Sequence, residues 1–334
     1  MSVPVAEEIR PKAKQVEGTN ALLGPLRSFL WRAADRFGVG RPCDADSLRI
    51  DRRRMPLRGL GREFDGTVIA HLSDLHYGPF VRARHLHRYV ERINALEPDF
   101  VVVTGDFITL GQQREAERVA EVLRDLQPNV ASVACLGNHD YGIWHPKVRR
   151  RRVDLADRLA GGLREAGMWV LRNETRRFSC GQSALQFVGV EDCWTGHCSP
   201  RRALRHVLPN TPTIALVHNP DLAPRLATAG AQWVLAGHTH GKARYNTRLS
   251  KWVYPTRFKR FVAGEYPLAG GARLYVSRGL TNPWGFALEP RPEVTLFTLC
   301  PTVTRQEAPR RARGPSATNA YDPGDRLYND LGGR

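Results

Sequence analysis

The sequence predicts an α/β fold, because short apolar runs alternate with helix-length amphipathic stretches and because a polar cluster closes each early run. Residues 67–73, 100–104 and 130–136 read as strands, being apolar and β-branched over lengths too short for a helix. The stretches 82–96 and 112–126 between them read as helices. The three strands run out into SDLH, TGD and GNHD, and the carboxyl ends of strands are where open α/β sheets build their sites. Further strands are expected at 185–190, 213–218, 233–236, 273–277 and 293–299.

The chain has 334 residues, 42% of them hydrophobic, which is ample for a buried core. No run approaches the roughly 18 apolar residues that a membrane-spanning helix needs. Glu7 and Glu8 stand where a secretory signal would be basic and then apolar, so cytoplasmic residence is expected. The 50 Lys and Arg against 33 Asp and Glu leave a formal charge of +17, a field that attracts phosphates, nucleic acid or anionic lipid. The 6 cysteines are too sparse for a disulfide scaffold and are expected to be reduced. Cys193, His197 and Cys198 form a compact group without a fourth ligand or a cysteine knuckle, and are read as coincidence rather than a zinc site.

Residues 1–62 read as a basic appendage without a strand pattern, 63–302 as the folded domain and 303–334 as a disordered tail rich in Arg, Pro and Gly. Within the appendage Leu22, Leu26, Phe29, Leu30, Ala33 and Phe37 share one helical face and Arg27, Arg32, Asp35 and Arg36 the other. Such a helix either packs on the domain or lies on an anionic membrane surface.

Asp74 and His76, Asp106, Asn138 and His139, His218, and His238 and His240 all follow apolar runs. Carboxylate, amide oxygen and imidazole together suit Mn, Fe, Co or Zn, whereas calcium and magnesium prefer oxygen alone. Asp74, His76, Asp106, Asn138, His218, His238 and His240 exceed the needs of one ion; sharing one carboxylate, they supply two four-ligand sets.

In SDLH, GDF, GNHD, VHNPD and GHTHG the chain resembles the calcineurin-like metallophosphoesterase superfamily over residues 67–299. The resemblance implies two packed mixed sheets flanked by helices, a four-layer αββα sandwich with metals at the carboxyl edge. It also implies that Asp74, His76, Asp106 and His240 hold one divalent ion and that Asp106, Asn138, His218 and His238 hold the other, with Asp106 as the bridge. HNPD, GHTHG and YVSRGL are most similar to a bacterial branch of membrane-associated phosphodiesterases that includes a UDP-2,3-diacylglucosamine pyrophosphatase of lipid A synthesis. Members commonly read GHTHGGQ where this chain has Lys242 and Ala243.

These readings predict a metal-dependent phosphodiesterase or pyrophosphatase in which hydroxide held between two ions attacks phosphorus. His139 is the expected acid for the leaving oxygen. Arg278 is a candidate phosphate clamp and Asp192 a candidate support for a ligating histidine. The run 147–152, with Arg149, Arg150, Arg151 and Arg152, is expected either as a solvated face or as a basic collar around the site. A phosphate-containing, lipid-linked substrate at the inner membrane face is the leading reading. A nuclease or nucleotide phosphodiesterase and a non-catalytic membrane-surface binding module are the alternatives, and no protein partner is expected.

Overall fold

The computed structural model describes residues 45–145, 152–241, 261–281 and 291–302. They belong to one compact unit, Met1–Thr302; the other unit, Val303–Arg334, lies outside the described residues, as do the expected helix at 22–37 and Arg149, Arg150 and Arg151.

One sheet holds β1 (Arg49–Leu57), β2 (Val68–Leu72), β3 (Phe100–Thr104), β4 (Ala131–Cys135), β5 (Met168–Val170) and β12 (Glu293–Pro301), in the order β1-β12-β2-β3-β4-β5. The other holds β6 (Glu174–Cys180), β7 (Ser183–Gly189), β8 (Thr213–Leu216), β9 (Trp233–Ala236), β10 (Gly264–Pro267) and β11 (Arg273–Val276), in the order β10-β11-β9-β8-β7-β6. Both sheets are mixed. In the first, β2, β3, β4 and β5 run parallel and β12 runs antiparallel to β2; in the second, β7, β8, β9 and β11 run parallel between two antiparallel edges.

Strand alternation divides the apolar residues among three buried clusters. Phe100 and Val102 face Phe187, Ile214, Leu216 and Phe297 in the core between the sheets. Val101 and Val103 face outward, beneath α1 (Ala83–Asn94), α2 (Gln113–Leu123) and α3 (Val153–Glu165), whose Leu86, Tyr89, Val119, Leu155 and Leu159 cover them. Ala215 and Val234 face the other way, against Ala203 of α4 (Pro200–Ala203) and Leu226 of α5 (Ala223–Thr228). The result is helix, sheet, sheet, helix, with each large buried side chain worth about 2 kcal/mol of apolar transfer. Burial on both faces explains why the central strands are continuous apolar runs.

The region 1–62 is not wholly an appendage without strands. β1 lies inside it and pairs parallel with β12 from Arg49↔Glu293 to Leu57↔Pro301. Its sequence, RIDRRRMPL, buries only Met55 and Leu57, so the backbone ladder rather than an apolar run holds this edge in place.

Candidate metal centre

The donor residues sit where the parallel strands of both sheets end. Asp74 and His76 follow β2, Asp106 follows β3, and Asn138 and His139 follow β4; His218 follows β8, and His238 and His240 follow β9. Asp74 (φ 56°), His76 (45°), Asp106 (54°), His238 (73°) and His240 (51°) all adopt the left-handed conformation, five of the eight non-glycine residues with positive φ among the described residues. Each such residue costs on the order of 1 kcal/mol or more and persists only where its surroundings hold it, as at functional sites.

The glycines before these donors act in two ways. Gly105 has φ +80° and makes the turn that aims Asp106. Gly137 and Gly237 are needed for close approach instead: a Cβ on Gly137 would lie 2.3 Å from Asp106 Oδ1, and one on Gly237 would lie 1.8 Å from Ser73 Oγ and 2.4 Å from Asp74 Oδ2.

The side chains converge. Asp74, His76 and His240 form one group of potential ligands and Asp106, His218 and His238 another, each with its donor atoms within 4.8 Å of one another. In the first group His240 Nε2 lies 3.2 Å from Asp74 Oδ1 and 3.2 Å from His76 Nε2. In the second, His238 Nδ1 lies 3.3 Å from His218 Nε2. Asp106 Oδ2 links the two groups, lying 3.0 Å from His218 Nε2 of its own group and 3.6 Å from His76 Nε2 of the other. Asn138 donates through Nδ2 to Ile143 O at 2.6 Å, while its buried Oδ1 has no hydrogen-bond partner among the described residues. That orphaned oxygen, with the carboxylates and imidazoles, fits a cation of the Mn, Fe, Co or Zn class.

The calcineurin-like phosphoesterase model matches residues 67–242, more than half of the chain and the span that carries the donors through His240. The chain belongs to the calcineurin-like phosphoesterases. Phosphodiesterase YaeI of Escherichia coli K12 is 30% identical over 232 residues, 69% of this chain and 81% of that protein. The UDP-2,3-diacylglucosamine pyrophosphatase LpxG of Chlamydia trachomatis is 26% identical over 303 residues, 78% of this chain and 90% of LpxG. The metallophosphoesterase YkuE of Bacillus subtilis is 26% identical over 283 residues, 83% of this chain and 94% of YkuE. The protein is thus a phosphoester hydrolase of a family that uses divalent metals. No helix among its described residues is long and apolar enough to cross a membrane.

Supports for this metallophosphoesterase site come from both sheets. His218 Nδ1 meets Thr104 O at 2.7 Å, which turns Nε2 toward Asp106. The backbone N–H of His238 donates to Asp74 Oδ2 at 3.1 Å, and Thr281 braces the SDLH turn by donating from N to Asp74 O and from Oγ1 to Leu75 O. His139 Nδ1 meets Thr109 O at 2.8 Å and His139 N donates to Asp106 Oδ1, so Nε2 is left for the site. The support that sequence reasoning missed is Asp140. Buried beneath the centre, its carboxylate accepts from Gly137 N, Asp106 N, Phe107 N and Ile108 N at 2.8 to 3.3 Å, joining the exits of β3 and β4. GNHD carried the residue in plain view, but nothing in the spacing separated it from its neighbours.

Other candidates have different surroundings. Asp192 Oδ1 accepts from Trp194 N at 2.8 Å in a tight turn, and burial raises its carboxyl to about 6. Trp194 in turn stands edge-on to His238, with ring centroids 4.7 Å apart. Arg278 Nη1 donates to the buried Glu293 Oε2 at 2.5 Å. Arg152 pairs with Asp154 at 3.2 Å in the first turn of α3. Burial raises the thiols of Cys193 and Cys198, the latter to about 12, and no metal-ligand group among the described residues includes them.

Without cations the donor set holds perturbed groups. Burial pushes the Asp74 carboxyl up to about 6. Burial, helped by the Asp106 charge, pushes that of Asp140 up to about 8. Burial works against the His218 imidazole, but Asp106 beside it prevails and raises it to about 10. Burial works against the Asp106 carboxylate too, and His218 and His139 outweigh it, holding that group well below its usual range. From pH 6.5 to 8 the folded metal-free protein therefore keeps protons on Asp140 and His218 that the unfolded chain, with ordinary values of 3.8 and 6.5, has released. Stability falls as pH rises wherever the folded state binds more protons. The unfolding midpoint of chelator-treated protein is expected to drop across this window, and divalent metal should flatten the profile by neutralising Asp106. A midpoint that rises with pH would contradict the assignment.

Proposed function

We propose that this chain is a two-cation hydrolase of phosphodiester or pyrophosphate bonds, with Asp74, His76, Asp106 and His240 holding one ion and Asp106, Asn138, His218 and His238 the other. The observation that carries the reading is the Asp106 carboxylate, which belongs to one three-residue donor group and also faces His76 of the other. Divalent cations in such a donor set supply Lewis acidity, lowering the pKa of water and drawing charge from phosphoryl oxygens.

The protein's own residues do the rest. His139, fixed through Nδ1 to Thr109 O and standing edge-on to His76 with centroids 4.8 Å apart, offers Nε2 to a phosphoryl oxygen and, when protonated, gives its proton to the leaving group. His139→Asn is expected to lower kcat by about 100-fold to 1,000-fold while metal content stays constant. An undiminished kcat would reduce His139 to a structural part. Arg278, anchored by Glu293, is the proposed phosphate clamp, and Arg149, Arg150, Arg151 and Arg152 the proposed collar.

Similarity to LpxG, the +17 charge and Trp144, 54% exposed beside the GNHD turn, support a lipid-linked substrate such as UDP-2,3-diacylglucosamine or a phospholipid, taken at the cytoplasmic face of the membrane. The test strips the protein of metal, restores Mn, Zn or Mg, and compares bis(p-nitrophenyl) phosphate with the monoester, then UDP-lipid, phospholipid and oligonucleotide. Metal-dependent diester cleavage extending to the lipids supports the reading. Cleavage of oligonucleotide alone would favour a nuclease, and no turnover with any metal a binding module.

A further inference from the structure

The donors come from two different sheets, so their alignment depends on whatever fixes one set of strand ends against the other. A buried carboxylate lies on that seam. Glu191, just after β7, accepts from Tyr141 Oη at 2.5 Å, Arg172 Nε at 2.7 Å and Asn173 Nδ2 at 3.1 Å. Tyr141 ends the turn that carries Asn138 and His139: its own N donates to Asn138 O, and Gly142 N donates to His139 O at 2.8 Å. Arg172 and Asn173 form the crossing from β5 to β6, and Arg172 also pairs with Asp157 of α3 and lies 5.9 Å from the Tyr141 ring. On the far side Asn173 Oδ1 accepts from Ser199 N, and Asn173 Nδ2 donates to His197 O. These contacts fix the 191–199 loop whose Trp194 bears on His238. The Tyr141 ring stacks on His197 as well, at 6.4 Å between centroids.

Resting on the two-cation reading above, we propose that Glu191 and Tyr141 are positioning residues that hold the Asn138–His139 turn of one sheet in register with His238 of the other. Neither touches the donor atoms. Their effect is geometric: a site built from two halves loses rate steeply when one half shifts by a fraction of an ångström. The contact is charge-assisted and buried, so it is stiffer than the surface ion pairs around it.

Tyr141→Phe removes one hydroxyl and keeps the packed ring; Glu191→Gln keeps the shape and drops the charge. The readouts are cobalt(II) titration followed by visible absorption, kcat and KM for bis(p-nitrophenyl) phosphate, and the unfolding midpoint. Tyr141→Phe is expected to lower kcat roughly tenfold at unchanged KM, to alter the absorption of the cobalt-loaded protein, and to leave the midpoint nearly in place. The double variant should cost less than the two single losses combined, because both break the Tyr141–Glu191 hydrogen bond. A Tyr141→Phe protein with the parent's cobalt spectrum and kcat overturns the inference, as does a lowered midpoint with kcat intact; this variant decides even if Glu191→Gln does not fold. A parent protein that binds no cobalt would instead defeat the two-cation reading on which the inference stands.

Discussion

Replacing Asp106 with Asn is expected to lower kcat at least about a thousandfold, because the lost stabilisation is several kcal/mol and each 1.36 kcal/mol is a factor of ten. Among the described residues Asp106 is the side chain whose carboxylate oxygen faces imidazoles of both donor groups, His218 at 3.0 Å and His76 at 3.6 Å. The amide keeps the volume, and through Oδ1 it can still accept from His139 N. It removes the negative charge that, in the proposed centre, would offset two cations, and turns one candidate ligand oxygen into a donor. Metal analysis should find less than two ions per chain in the variant, with a midpoint close to that of the chelated parent. A variant with full metal content and parental kcat would dismiss Asp106 as the shared ligand.

The largest effect on stability is expected from Asp140→Ala. Four backbone N–H groups, from Gly137, Asp106, Phe107 and Ile108, converge on this buried carboxylate. Alanine leaves all four without an acceptor in a space that water enters poorly, and each buried unsatisfied group costs about 1 to 3 kcal/mol. Partial relaxation makes a loss of about 4 kcal/mol a reasonable sum, enough to lower the unfolding midpoint by roughly 10 °C for a domain of this size. Asp140→Asn, which keeps one accepting oxygen, should fall between the parent and alanine. Equal midpoints for all three proteins in thermal denaturation would exclude a structural role.

The two predictions draw on different kinds of information. Asp106 was legible in the sequence, since TGD closes an apolar run and the resemblance to the calcineurin-like metallophosphoesterases makes its carboxylate the one that two ligand sets share. Asp140 was not, because its role depends on where the exits of β3 and β4 come to lie in space. Glycine roles were also decided in space: Gly105 adopts φ +80°, whereas Gly137 and Gly237 lie against side chains from other strands, Asp106 on one and Ser73 and Asp74 on the other. The Glu191 contact joins residues 50 apart in sequence to Tyr141, and no local pattern marks it.

The sequence by itself determined the central strands, the order of the donors along the chain and the residue types that suit a borderline divalent metal. Those features are local, or repeat with the pleat, and strands buried on both faces advertise themselves as unbroken apolar runs. Tertiary structure alone decided the edges. The strands absent from the sequence reading, β1, β5, β6 and β10, are the outer strands of the two sheets. Among the described residues each pairs on one side only, and β6, at Glu174–Cys180, buries none of its side chains fully. Charged and exposed edge positions protect a sheet from further pairing and erase the hydrophobic period that would reveal it. Tertiary structure also decided the donor backbone conformations. Five left-handed residues at one seam follow from the packing of two sheets around a common set of side chains, and no stretch of chain specifies that packing on its own.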